Sequence, residues 1–141
     1  MKFNYNDGGR EAAGFKGKTG DCVCRAIAIA TELPYKQVYD LINEFAKKER
    51  SAARTKSSAR SGVRPATSRK VLKSLGWKFV ATMGIGTGCT IHLREGELPM
   101  GRIICKTSHH LVAVIDGVIN DTYDCTRDGN RCVYGYYIKE N

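Results

Sequence analysis

The chain has 141 residues, 26% of them charged, with a formal net charge of +9. A chain of this length buries one core without staples, and no apolar run approaches the roughly 20 residues of a membrane helix. The N-terminal MKFNYNDGGREAAG lacks the apolar stretch of a secretory leader, so one domain spanning residues 1–141 is expected in the cytoplasm, with no membrane contact. In that compartment the six cysteines are read as core, catalytic or metal-bound residues rather than disulfides. Their spacing holds no CxxC pair, which makes a weak signal for structural zinc.

In chain order, Asp21 suits an N-cap, and Val23, Ala26, Ile27 and Ala30 recur at helical spacing, predicting a helix from about Cys22 to Glu32. Pro34 suits the first turn of a second helix with Val38, Leu41, Ile42 and Phe45 on its inner face. That helix runs out in KKERSAARTKSSARSG, which reads as an exposed basic loop at about 50–64. Pro65 opens a third helix, PATSRKVLKSL, stopped by Gly76. Thereafter WKFVAT, GRIICKTS, HLVAVID, GVINDTYD and CVYGYYIK are short, β-branched and aromatic, and bounded by turn residues. GIGTGC lacks the Lys-Ser or Lys-Thr and the helix of a phosphate loop and reads as a turn. Helices followed by an antiparallel sheet make an α+β domain.

The charge is concentrated. Ten of the 23 basic residues and one of the 14 acids, Glu49, lie between Lys47 and Lys73, so the rest of the chain balances. Lys47, Lys48, Arg50, Arg54, Lys56, Arg60 and Arg64 form a candidate surface for an acidic protein or for nucleic acid. No aromatics are interleaved to stack bases, which weakens the nucleic-acid reading.

A thiol nucleophile needs help to ionise, a base in reach and a group that orients the base. Cys22 and Cys24 both fall in the first turn of the first predicted helix, whose positive end favours thiolate. They project about 200° apart, so they do not share a role. Asp116-Gly117 between apolar runs predicts a two-residue hairpin with Ile115 opposite Val118, Val112 opposite Asp121 and His110 opposite Tyr123. That register makes His110 and Asp121 diagonal neighbours roughly 7 Å apart at the backbone. His110 is then the base and Asp121 its orienter; a one-residue bulge would substitute His109.

The order cysteine, histidine, carboxylate, with GDCVCRA around the cysteine, resembles the papain-like cysteine peptidase fold. The ovarian-tumour-type deubiquitinases carry a similar nucleophile motif, G-N-C-L-F-R-A. Bacteriocin-processing thiol peptidases pair an Asp-Cys nucleophile with a histidine strand and a following strand ending in Asp. Both resemblances imply Cys22 as nucleophile, whereas the C-x-x-C-W-A-F of plant-type papains implies Cys24. The chain is also similar to short bacteriophage proteins of papain-like type, which would put it in the host cytoplasm. Lys16 stands where papains have their oxyanion glutamine, and Thr19 where the deubiquitinases have Asp. Thr19 and Asp21 are the candidate oxyanion or positioning residues beside the Cys22 backbone N–H.

The expected function is that of a cysteine peptidase or isopeptidase cutting an amide bond in a protein or peptide, without a cofactor. Arg25, one turn on, would hold a carboxylate or the helix packing. The alternative is a non-catalytic binding module on the same fold, using its basic surface. A minor third reading is a zinc site drawn from Cys22, Cys24, His109, His110, Cys125 or Cys132.

Overall fold

Three helices, α1 (Cys22–Thr31), α2 (Tyr35–Lys47) and α3 (Pro65–Ser74), lie on one six-stranded sheet. Its strands are β1 (Lys2–Tyr5), β2 (Trp77–Ala81), β3 (Arg102–Thr107), β4 (His110–Ile115), β5 (Val118–Asp121) and β6 (Gly135–Lys139), in the order β1-β5-β4-β3-β6-β2. This is a computed structural model, and it describes residues 1–17, 19–50 and 56–140. The fold is α+β, with the three helices and five of the strands at the expected places. No helix among the described residues is long and apolar enough to cross a membrane.

The sheet departs from the expected purely antiparallel form. β1 runs parallel to β5 at the edge, with Lys2 opposite Val118 and Tyr5 opposite Asp121. All four β1 residues are exposed, so KFNY lacks the apolar alternation by which a half-buried strand is recognised. Its place comes from main-chain pairing to β5, extended by the Asn6 N–H donating to the Asp121 carbonyl at 2.9 Å.

β3 and β4 are covered on both faces, which explains why RIIC and HLVAVI are continuous apolar runs rather than alternating ones. Ile104, Leu111, Ala113 and Tyr137 pack against the helices. Ile103, Cys105, Val112 and Val114 pack on the other side with Leu93, Cys125 and Val133. α1 is the central helix, buried at every position from Val23 to Ala30. Its C-terminal carbonyls are capped from the sheet: the Arg102 guanidinium donates to Ala30 O at 2.9 Å and to Ile29 O at 2.6 Å, a cation where the helix dipole favours one.

The hairpin joining β4 to β5 has the expected register, with Ile115 opposite Val118 and Ala113 opposite Asn120. Asp116 and Gly117 both have positive φ, 49° and 79°, the geometry that a two-residue hairpin turn demands. Pro34 precedes α2 as its N-cap rather than opening it.

The basic loop is less exposed than expected. Of its described part, Ser57 and Ala59 are buried. Glu49, the lone acid of the stretch, accepts from the Ser57 N–H at 2.9 Å and also from the Ser57 and Thr67 hydroxyls. Asn43 Oδ1 accepts the Ala59 N–H at 2.9 Å. The loop is therefore tied to α2 and α3 through two polar side chains that periodicity does not place. A second correction concerns the cysteines: Cys89 and Cys132 form a disulfide, with Cα atoms 5.9 Å apart.

Candidate active site

Gly20, two residues before α1, lies against the 58–62 loop, where only a residue without a Cβ fits. A Cβ on Gly20 would stand 2.8 Å from the Ser61 carbonyl oxygen, and the Gly20 N–H donates to Arg60 O at 3.0 Å. The loop at 58–62 is thereby pressed against the turn that carries the cysteine. Cys22, Ser61, Gly62, His109, His110 and Tyr134 are among the residues lining a cleft of about 760 Å³ between that loop and the β3–β4 turn.

Cys22 is partly exposed and faces this cleft, whereas Cys24 is fully buried, its thiol donating to Tyr35 O at 3.8 Å. Burial pushes the Cys24 thiol up to about 12. The alternative nucleophile is thus a core residue, as the 200° separation on the helix requires of one of the pair.

His110 opens β4, and its Nε2 lies 2.7 Å from Asp121 Oδ2. With Nε2 engaged, Nδ1 is the ring nitrogen left for a thiol. His109 occupies the β3–β4 turn with φ 54° and is exposed; it lines the cleft without a carboxylate partner among the described residues. Tyr123 covers the His110 ring, centroid to centroid 5.5 Å.

The charges of the three groups are interlocked. Burial opposes ionisation of Cys22, but a hydrogen bond from His110, the imidazolium charge, the Leu111 backbone N–H and the nearby Arg25 together lower its pKa. Burial likewise opposes the imidazolium, yet hydrogen bonds with Asp121, Cys125 and Cys22 push His110 up to about 11. Asp121, desolvated too, is held below the usual carboxylate range by His110, the Thr122 N–H and Arg25. These directions favour a thiolate–imidazolium pair at neutral pH.

Thr19 and Asp21 are occupied elsewhere. The Thr19 hydroxyl donates to Asp21 Oδ1 at 2.8 Å, and the Tyr35 hydroxyl donates to Asp21 Oδ2 at 2.6 Å. Asp21 is 1% exposed, caps no helix N–H through its side chain, and is ion-paired with Arg25. A carboxylate cannot donate to an oxyanion, so Asp21 positions Arg25 instead. The N–H groups of Cys22 and Val23, at the open end of α1, are the donors the fold offers there.

Two further residues named from the sequence, Arg25 and Cys125, lie in this neighbourhood, and Arg25 holds carboxylates as expected. Arg25 bridges Asp21 and Asp121 while only 8% exposed. Cys125 is buried, and its sulfur, an Asp121 oxygen and a His110 nitrogen lie within 4.8 Å of one another. This trio has metal-ligand chemistry, but His110 and Asp121 are bonded directly and Arg25 sits 3.2 Å from the carboxylate, which fills the space with a cation of another kind.

Several residues of the candidate partner surface have partners within the chain. Lys47 pairs with Glu44, Arg64 stands 3.9 Å from Glu49, Lys48 covers the Phe45 ring, and Arg60 donates to Lys16 O. Arg50 and Lys56 are exposed, and Arg54 lies outside the described residues. Comparison with family models, curated proteins and solved structures returns no match to this chain.

Proposed function

We propose that the protein is a small cysteine hydrolase with a papain-like arrangement, acting on an amide bond of a protein or peptide. The observation that carries this reading is the 2.7 Å contact of His110 Nε2 with Asp121, beside a cleft-facing cysteine at a helix start. In this reading the Cys22 thiolate attacks the carbonyl carbon, and the Cys22 and Val23 N–H groups receive the oxyanion. The His110 imidazolium gives its proton to the leaving amine, and the neutral ring then takes one from the water that cleaves the thioester. Asp121 orients the ring throughout and keeps the proton of the neutral ring on Nε2, which leaves the Nδ1 lone pair free to accept.

The test is alkylation of the native protein with iodoacetamide at pH 6 and pH 8, with labelled cysteines mapped by mass spectrometry. Cys22 is expected to label at pH 6 more than about tenfold faster than in His110→Ala, because an unassisted thiol is almost wholly protonated there. Equal rates in the two proteins remove the hydrolase reading. The binding module would then take its place, with the exposed Arg50 and Lys56 as the first residues to substitute.

A further inference from the structure

A second cluster of sulfur and imidazole groups lies apart from the proposed catalytic residues. The connection between β2 and β3 carries Cys89 and His92, and the approach to β6 carries Cys132. His92 and Cys132 face each other across an isolated antiparallel bridge. Main-chain bonds flank it on both sides: the Leu93 N–H donates to Arg131 O at 2.9 Å, and the Val133 N–H to Ile91 O at 2.8 Å. The backbone that brings these residues together is therefore held independently of the bond between the two sulfurs.

The side chains are arranged with equal economy. His92 Nε2 lies 3.6 Å from Cys89 Sγ. His92 Nδ1 lies 3.2 Å from Glu97 Oε1, which also accepts the His92 backbone N–H at 3.1 Å. Arg94 Nε holds the other Glu97 oxygen at 3.0 Å. A carboxylate on Nδ1 keeps the ring proton there and turns the Nε2 lone pair towards the sulfurs, the outer-shell arrangement found behind metal-bound histidines. The Met83 thioether sulfur lies 3.9 Å from Cys132 Sγ.

We propose that, with Cys89 and Cys132 reduced, this cluster binds one zinc ion through Cys89 Sγ, Cys132 Sγ and His92 Nε2. Water fills the fourth position, and Met83 covers one side. Zinc–sulfur bonds of about 2.3 Å and a zinc–nitrogen bond of about 2.0 Å at tetrahedral angles put sulfur and nitrogen about 3.5 Å apart. The Cys89–His92 pair already has that separation within about 0.1 Å. The two sulfurs must part to about 3.8 Å, a side-chain rotation that leaves the flanking main-chain bonds intact.

The chemistry balances with a dithiol reductant. Two electrons and two protons pass from the reductant to the Cys89–Cys132 bond, giving two thiols and the reductant's own disulfide. Zinc binding then releases the two thiol protons to solvent. Cys89 is exposed and Cys132 half-buried, so reductant and ion both have access. Disulfide and zinc would clasp the same connection to the same strand, one in an oxidising and the other in a reducing environment.

The experiment uses the whole protein, reduced without air by a phosphine, with free thiols counted before metal is added. Co²⁺ is titrated first, then displaced by Zn²⁺, and affinity is read by competition with a chromophoric chelator. One equivalent of Co²⁺ with tetrahedral visible bands and a thiolate charge-transfer band is expected, and none in the oxidised protein. Cys132→Ser and His92→Ala should each weaken binding by at least about 10–100-fold, and Glu97→Gln, which leaves all three ligands in place, by about 10–100-fold. Far-ultraviolet dichroism on each variant identifies any that fails to fold, and Glu97→Gln, a surface change, stands as the independent variant. The proposal is overturned if the native disulfide resists the phosphine, or if the reduced protein takes up no metal. It is equally overturned if binding survives Cys132→Ser but disappears in Cys125→Ser or His110→Ala, which would put the metal at the other cluster.

Discussion

Arg25 crosses from α1 to the sheet and stands 3.2 Å from Asp121, its Nη2 on Oδ1, while Oδ2 of the same carboxylate accepts from His110 at 2.7 Å. Its other terminal nitrogen is ion-paired with Asp21. One buried guanidinium thus ties the start of α1 to the residue that orients the proposed base. Charges taken out of water in this way are stabilising only while every partner is present.

Replacing Arg25 by Met therefore takes a shared cation from two buried carboxylates, leaving His110 on Asp121 and the more distant Arg10 on Asp21. The expected cost is about 3–5 kcal/mol of folding stability, read as a lower urea midpoint. Removing Asp21 as well, in Arg25→Met/Asp21→Asn, should recover part of that loss. If the double variant is no more stable than Arg25→Met, the guanidinium acts through packing alone.

The Cys22–His110 pair predicts that stability falls at alkaline pH. The His110 pKa rises from 6.5 to about 11 on folding, and that of Cys22 falls from 9.0. From 9.0 to about 11 the unfolded pair carries no proton while the folded pair keeps one, so stability falls as pH rises. The slope is at most about 1.4 kcal/mol per pH unit. His110→Ala should lose this fall in a urea-denaturation series from about pH 9 to 11; an unchanged profile means that the imidazolium is not held in the folded protein.

Cys24 offers the contrasting case. Its side chain is wholly buried and its thiol is pushed up to about 12, so it should resist iodoacetamide in the native state at pH 8 and label only on unfolding. Cys24→Ala should leave the Cys22 labelling rate unchanged. Slower labelling of Cys22 in that variant would mean that the two cysteines act together.

The helices, five strands and the β4–β5 register are legible because each rests on a local signal. Apolar spacing gives α1 and α2, Pro65 and Gly76 bracket α3, and Asp116-Gly117 sets the hairpin. That register alone separates His110 from His109, since a one-residue slip exchanges the faces of a strand. What is not legible depends on distant partners. The KFNY strand has no buried residue to betray it. Glu49 is one acid among basic residues until Ser57 and Thr67 fold onto it. The pairing of Cys89 with Cys132 joins positions 43 residues apart, a relation that neither spacing nor compartment announces.

Gly20 is the position at which the sequence around the cysteine and the wall of the cleft meet. Its hydrogen atom faces the Ser61 carbonyl where a methyl carbon would lie at 2.8 Å, and the atom it meets is backbone, which cannot swing aside. Gly20→Ala must therefore move the 58–62 loop away from α1 or distort the turn before Cys22. Overpacking of this kind costs about 1–3 kcal/mol, and the displaced wall should also change the rate at which Cys22 is alkylated. Gly86→Ala serves as the control: with φ +81° it is strained too, but its added carbon meets nothing within 4 Å. It should lower stability by about 1 kcal/mol and leave Cys22 labelling as in the wild type. If Gly20→Ala behaves like Gly86→Ala in both measurements, the loop at 58–62 is not a wall of the site, and the cleft must be defined without it.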